Sequence, residues 1–375
     1  MVRIMKAVVL VGGQGTRLRP LTYNSTKALL PIVNVPFLDR LVRRLEDCGV
    51  EDILLAVSHR ATELEAHLKR RSKQYRAQVA CSVEPEPLGS GGALKFNEGF
   101  LDDTFLLLNG DILTDLDYGE VVRFHKQKDA LVTVSIAEVA DPTRFGVIDA
   151  DRQGRVVCWQ EKPSMEEARS HWVNVGIWVM EPSLLSGIPE GRFVSLEKEV
   201  FRELLDAKAS FYSFKSDSYW ADIGTPESYA QINKDILLGT IAEPIPGCRF
   251  DGDDVWVGDA CEVASSVSLS GPVVVGDKTR LGEQVSVRGP SVVGGSCQLD
   301  PRTSIVDSIL WDEVETRQGA VIRNSVIGRG VRVARDVSIV DSVVADDSVI
   351  EVPLVQRASI GPGTTLLPDC LAAGP

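Results

Sequence analysis

The sequence predicts two domains of different architecture. Residues 1–240 read as an α/β domain with a Rossmann-like, mainly parallel sheet, and residues 241–375 as a left-handed parallel β-helix. Three observations carry this reading. Short apolar strands alternate with amphipathic helices through the first 240 residues, apolar positions recur every six residues through the remainder, and LLGTIAEPIPG (237–247) has the composition of a linker between them. A chain of 375 residues is also longer than a typical single hydrophobic core.

The α/β half is built in order. AVVLV (7–11) precedes a helix near 37–49, DILLAVS (52–58) a second near 61–72, and QVACSV (78–83) a third near 90–100. TFLLLN (104–109) ends in Gly110-Asp111, and a helix near 117–128 leads to ALVTVSIAEV (130–139). Strands spaced by helices of this length imply parallel pairing with both sheet faces covered. Ligands of such sheets sit at the C-terminal ends of the strands. The turn after 7–11 and Asp111 both fall there.

The second half follows a different period. Stepping by six from Val257 meets Val263, Leu269, Val275, Leu281, Val287, Val293, Leu299, Ile305 and Trp311, and after a break Ile327, Val333, Ile339 and Ala345. Gly or Asp often comes next, and small residues such as Cys261, Thr279, Cys297 and Thr303 recur. No amphipathic helix has period six. Three short strands per coil, about eighteen residues in all, do.

Bulk composition narrows the partners. With 44% hydrophobic and 25% charged residues the chain is of ordinary globular type. Its net charge of −13 argues against nucleic acid or an anionic membrane surface as a partner, since both need a cationic face. The first apolar run is too short for a secretion signal, and no stretch approaches a membrane span. Seven cysteines (48, 81, 158, 248, 261, 297, 370) without a CxxC read as reduced thiols in a cytoplasm.

One local cluster is basic. After AVVLV come Gly12, Gly13 and Gly15, then Arg17, Arg19 and Lys27. A glycine turn after a strand suits phosphate. It is neither G-x-G-x-x-G, because position 18 is Leu, nor a P-loop. GGQGTRLRPLTYNSTKALLPI (12–32) closely resembles the signature of nucleotide-sugar pyrophosphorylases. EPLGSGGAL (86–94), LNGD (108–111), RFGVI (144–148), QEKP (160–163), VNVGIWV (173–179) and YWADIGTPESY (219–229) resemble that family's later motifs in the same order. Within it the chain is most similar to guanylyltransferases that make GDP-mannose or GDP-heptose and carry a C-terminal hexapeptide-repeat domain.

The resemblance implies transfer of a nucleotidyl group from an NTP to a sugar 1-phosphate, with release of pyrophosphate. It implies nucleotide binding by Leu10, Gly12, Gly13, Gly15, Thr16, Arg17, Glu84, Gly89, Ser90 and Asn109, with Arg17, Lys27 and Lys162 as the catalytic cations. Sugar phosphate falls to Gly146, Glu161, Lys162 and Asn174, and Mg²⁺ to Asp111 and Asp222. Two carboxylates plus phosphate oxygens and water are what Mg²⁺ prefers. Arg19 is expected to brace the loop.

The base is read from Glu84, five residues before Gly89, with Glu86 as the alternative acidic residue to face it. Guanine offers two adjacent donors to a carboxylate, whereas uracil and thymine place one donor between two carbonyls. This favours GTP, with mannose 1-phosphate as the partner; a thymidylyl- or uridylyltransferase acting on glucose 1-phosphate and a non-catalytic nucleotide-sugar sensor are the alternatives. Acyl transfer by the β-helix would need a histidine, and His59, His67, His125 and His171 all precede residue 240. The β-helix is therefore expected to be an assembly or regulatory module joining copies of the chain.

Overall fold

Lys6–Leu10 (β1) opens the sheet as a buried apolar strand, and the computed structural model describes residues 6–58, 60–245, 248–250 and 254–368. His59, part of the linker at 246–247, Cys370 and the last residues of the expected β-helix lie outside the described residues. The chain divides into two compact units. The first comprises residues 1–13 and 38–220, the second residues 14–37 and 221–375.

The first unit continues with Phe37–Asp47 (α1, in this unit from Leu38), Asp52–Val57 (β2), Ala61–Arg71 (α2), Gln78–Val83 (β3), Gly89–Phe96 (α3), Phe105–Asn109 (β4) and Tyr118–Gln127 (α4). Then come Val132–Glu138 (β5), Gly146–Ala150 (β6), Val156–Glu161 (β7), Trp172–Met180 (β8), Phe201–Asp206 (α5) and Phe211–Lys215 (β9). The nine-stranded sheet runs β7-β6-β8-β4-β1-β2-β3, with β5 beside β8 and β9 beside β5. The four strands of the expected alternation, β3-β2-β1-β4, are parallel. Beyond β4 the sheet turns antiparallel through β8, β6 and β7. Leu54, Leu107, Val134, Trp178, Phe201 and Phe211 share one core. Each such side chain contributes roughly 1.5–3 kcal/mol by leaving water.

The second unit is dominated by three sheets of short strands, one on each side of a coil, paired in parallel except for Cys248–Phe250, which is antiparallel to Val255–Gly258. Val257, Val275 and Val293 stack eighteen residues apart. From there the spacing falls to seventeen, through Leu310, Ile327 and Val344. The cause is one corner. Gly271-Pro272 and Gly289-Pro290 make it with two residues. Later coils make it with a single left-handed residue, Asp307, Asn324 or Asp341 (φ 49, 44 and 50°). The serine after each corner is buried and ties coil to coil. The backbone N–H of Ser308, Ser325 and Ser342 donates to the hydroxyl of Ser291, Ser308 and Ser325 at 3.1, 3.2 and 3.1 Å.

That shortening corrects the period-six reading at two places. Leu310 and Val344, not Trp311 and Ala345, occupy the interior column. Val263, in the first coil, stays exposed.

Pro226–Leu237 (α6) also belongs to this unit. Thr225 and Ser228 form a capping box at its start, with Pro226 in the first turn. Residues 14–37 pack here as well and end in a hairpin of Pro31–Ile32 against Val35–Pro36. Its two-residue tip, Val33-Asn34, is left-handed at both positions (φ 46 and 59°). Asn suits such a tip; a β-branched Val there costs on the order of 1–2 kcal/mol.

Candidate active site

In the first unit Leu10, Glu84 and Asn109 stand at the C-terminal ends of parallel strands, and Gly146, Glu161 and Asn174 lie on the antiparallel strands beyond β4. Leu10 and Asn109 are register partners on β1 and β4, and the Gly110 N–H donates to the Leu10 carbonyl at 2.9 Å. The glycine turn and Asp111 are therefore neighbours. Gly12 is forced by packing, since a Cβ there would stand 2.7 Å from the Ser58 hydroxyl oxygen, which donates to the Gly12 carbonyl. At Gly13 a Cβ would meet open space. Asp111 is half-buried.

Asn109 and Asn174 meet around Gly176. The Asn174 Oδ1 accepts from the Gly176 N–H at 2.8 Å, at a register shift in β8 between Asn174 and Trp178. Gly146 and Glu161 face each other across β6 and β7, and the Trp159 ring and the Glu161 carboxylate leave no comfortable space for a Cβ on Gly146. Lys162 follows with a left-handed backbone (φ 50°), directly before Pro163, its N–H bonded to the Phe145 carbonyl. Its ammonium is exposed, 3.6 Å from Glu161. Such a conformation is uncommon for lysine.

Glu84 sits at the end of β3 and is only 8% exposed. Its Oε2 accepts from the Leu88 N–H at 3.0 Å, bracing the turn into α3, while Glu86 is exposed. Gly89 is left-handed (φ 74°), and a Cβ would strike the Val194 carbonyl. The Ser90 hydroxyl donates to Glu197 at 2.9 Å and accepts from the Leu196 N–H. Ser90 thus pins α3 to residues 195–197, a contact between distant segments for which the sequence carries no local signal.

Gly15, Thr16, Arg17, Lys27 and Asp222 lie in the second unit. Gly15 is left-handed (φ 62°) and starts a short turn, Thr16–Leu18, that leaves Arg17 exposed and Leu18 fully buried. The Thr22 hydroxyl donates to the Gly15 carbonyl at 2.7 Å. Arg19 lies 5.0 Å from the centre of the Tyr23 ring. Lys27 begins a second short turn, Lys27–Leu29, anchored by buried Ala28. A Cβ on Gly224 would stand 2.4 Å from Oδ2 of Asp222, so glycine leaves that carboxylate its room. Among the described residues no group of three or more His, Cys, Asp or Glu could hold a metal ion. No described helix is long and apolar enough to cross a membrane.

A family model described as "Nucleotidyl transferase" matches residues 6–238. The chain belongs to the nucleotidyl transferase family. A second model, "EIF2B subunit epsilon LbH domain", matches residues 253–367, in agreement with the stacked coils. A mannose-1-phosphate guanylyltransferase of Mycobacterium tuberculosis is 37% identical over 270 residues, 72% of this chain and 74% of the relative. A UTP–glucose-1-phosphate uridylyltransferase of Synechocystis is 34% identical, over 72% of this chain and 73% of that one. The crystal structure of HddC from Yersinia pseudotuberculosis aligns with a TM-score of 0.55 and 29% identity, covering 62% of this chain and all of that one. The same protein is also known complexed with GMP-PN. Like its relatives, this nucleotidyl transferase is an enzyme that joins nucleotide to sugar phosphate.

Proposed function

We propose that the enzyme transfers the guanylyl group of GTP to mannose 1-phosphate, forming GDP-mannose and pyrophosphate. The observation that carries the reading is the pairing of Leu10 with Asn109, which sets the glycine turn beside Asn109-Gly110-Asp111 at the strand ends. Open space over Gly13 suits a phosphate approaching the backbone N–H groups.

A phosphate oxygen of the sugar attacks the α-phosphorus in line. It is already anionic, so no general base is required, and repulsion between two polyanions is the obstacle. Arg17 and Lys27 neutralise the departing β,γ-phosphates; Arg17 can do so bidentately. Lys162 takes the sugar phosphate, and Glu161, Asn174 and the Gly146 backbone take the sugar. Holding both reactants aligned supplies much of the acceleration. Asp111 and Asp222 are hard oxygen donors, as Mg²⁺ demands, and both fit as its protein ligands. The bound cation would offset charge on the phosphates. Glu84 reads the guanine edge, Leu10, Gly89, Ser90 and Asn109 shape the nucleotide pocket, and the β-helix joins copies of the chain. Free thiols at Cys48, Cys81, Cys158, Cys261 and Cys297 suit a cytoplasmic enzyme.

The test is pyrophosphate release with GTP, UTP, dTTP, ATP and CTP, each against mannose, glucose and heptose 1-phosphates. GTP with mannose 1-phosphate should turn over fastest. A faster UTP–glucose 1-phosphate pair would move the assignment to the uridylyl reading, and no release with any pair would leave only a nucleotide-sugar sensor.

A further inference from the structure

Trp311 is out of place in its own column. The residue following the interior position is Gly258, Gly276 and Gly294 in the first three coils, Trp311 in the fourth, then Gly328, Ala345 and Gly361. Six of these seven are glycine or alanine. The seventh is the largest side chain available, and it is buried.

Its indole N–H donates to the hydroxyl of Tyr229 on α6 at 2.8 Å, with the rings edge to face. The Tyr229 hydroxyl donates in turn to the carbonyl of Pro31 at 2.5 Å. Only one polarity is open to this chain. An indole N–H can only donate, a carbonyl can only accept, and the hydroxyl between them has one proton. Next to it, buried Asn233 accepts from the Val33 N–H at 2.7 Å and donates to the Tyr229 carbonyl at 2.9 Å. The Asn34 amide donates to the carbonyl of Val293 in the third coil at 2.9 Å. These are the contacts that hold a valine in the left-handed region at the hairpin tip. Strain that its surroundings maintain marks a place where geometry matters.

We propose that Trp311, Tyr229, Asn233 and Asn34 are positioning residues that fix the segment 14–37 on the third and fourth coils, so that nucleotide affinity depends on the β-helix. Pro31 is four residues from Lys27, and the links between them are tight. The Leu30 N–H bonds the Lys27 carbonyl, the Phe37 N–H bonds the Leu30 carbonyl at 3.0 Å, and Leu30 and Ile32 are fully buried. Displacing the tip therefore displaces the turn that starts at Lys27. The proposal rests on the reading that Arg17 and Lys27 hold the triphosphate. It also means that a fragment ending near residue 240 would lack the Val293 carbonyl and the Trp311 indole, and would lose nucleotide affinity as well as any assembly.

The experiment uses the full chain, with Trp311→Phe (ring kept, donor lost), Asn34→Gly (left-handed backbone kept, amide lost), Arg17→Ala, and each anchor variant combined with Arg17→Ala. KM for GTP and for mannose 1-phosphate and kcat are measured by pyrophosphate release, with melting temperature alongside. Each anchor variant should raise KM for GTP about 3- to 10-fold, the effect of one lost hydrogen bond. KM for mannose 1-phosphate should stay within about twofold. Because the anchor acts through the segment that carries Arg17, its effect should shrink in the double variants and not multiply. Anchor variants that melt earlier yet keep KM for GTP within twofold, or effects that multiply fully with Arg17→Ala, overturn the proposal and leave the triphosphate reading standing. An Arg17→Ala enzyme with unchanged KM for GTP overturns that reading and this proposal with it.

Discussion

The side-chain amide of Asn109 lies against the α-carbon of Gly176, so closely that a Cβ would stand 2.6 Å from Nδ2. Gly176 is also left-handed (φ 78°). Gly176→Ala therefore meets two penalties, one in the backbone and one against Asn109, two residues before Asp111. We expect it to cost about 1–3 kcal/mol in unfolding free energy and at least tenfold in turnover. Gly99→Ala, where a Cβ meets open space, is the matched control. Chemical denaturation reads the first effect and pyrophosphate release the second. A Gly176→Ala enzyme as stable and active as the control would remove the steric argument.

Metal dependence is the next expectation. Asp111→Asn and Asp222→Asn keep size and remove charge, and each should lower turnover by on the order of 100-fold, because charge on the transferring phosphate goes uncompensated. Chelation should abolish activity and added Mg²⁺ restore it. Gly224→Ala, pressing on the Asp222 carboxylate, should raise the Mg²⁺ concentration needed for half-maximal rate. Full activity in EDTA, or in both asparagine variants, would refute the ligand assignment.

How much of this was legible in the sequence depends on the range of the interaction. β1 to β4 and their helices were, because alternation of apolar runs is a local signal. The antiparallel β6, β7 and β8 were not placed by that alternation, since pairing partners are set by neighbours distant in the chain. Period six was legible because every corner repeats. The slip at Leu310 was not, because it follows from a single lost proline at a corner. In the site, Gly12 and Gly176 are explained by close packing. The bonds from Ser90 to Glu197 and from Trp311 to Tyr229 join residues about a hundred positions apart and leave no pattern to read.

Acid should weaken the first unit through His125. The imidazole is 1% exposed, with Nδ1 beside the Thr133 hydroxyl and Nε2 3.1 Å from Glu181. Burial pushes its pKa below the ordinary histidine value, against the opposing pull of Glu181. Because the folded value is the lower one, the contribution to stability is present above pH about 6.5 and is lost as pH falls through the folded pKa. The slope is at most about 1.4 kcal/mol per pH unit for one group. His125→Gln cannot titrate, so the fall in melting temperature between pH 7.5 and 5.5 should be smaller in the variant. Equal falls would place the acid sensitivity elsewhere.

Glu84 is the most informative position for the base. One carboxylate oxygen accepts from the Leu88 N–H, so part of its role is to brace the turn into α3. Glu84→Gln keeps an acceptor for that bond and replaces the other oxygen with a donor, which would then face the donors of guanine. A hydrogen bond to a charged group contributes about 1.5–3 kcal/mol. The value of kcat/KM for GTP should therefore fall about 10- to 150-fold, while UTP or dTTP improves. The quantity to measure is the ratio of kcat/KM for GTP to that for UTP, at saturating sugar phosphate, in wild type and variant. An unchanged ratio with a lowered melting temperature would mean that Glu84 only braces the turn, and that the choice of guanine is made by other groups in the pocket.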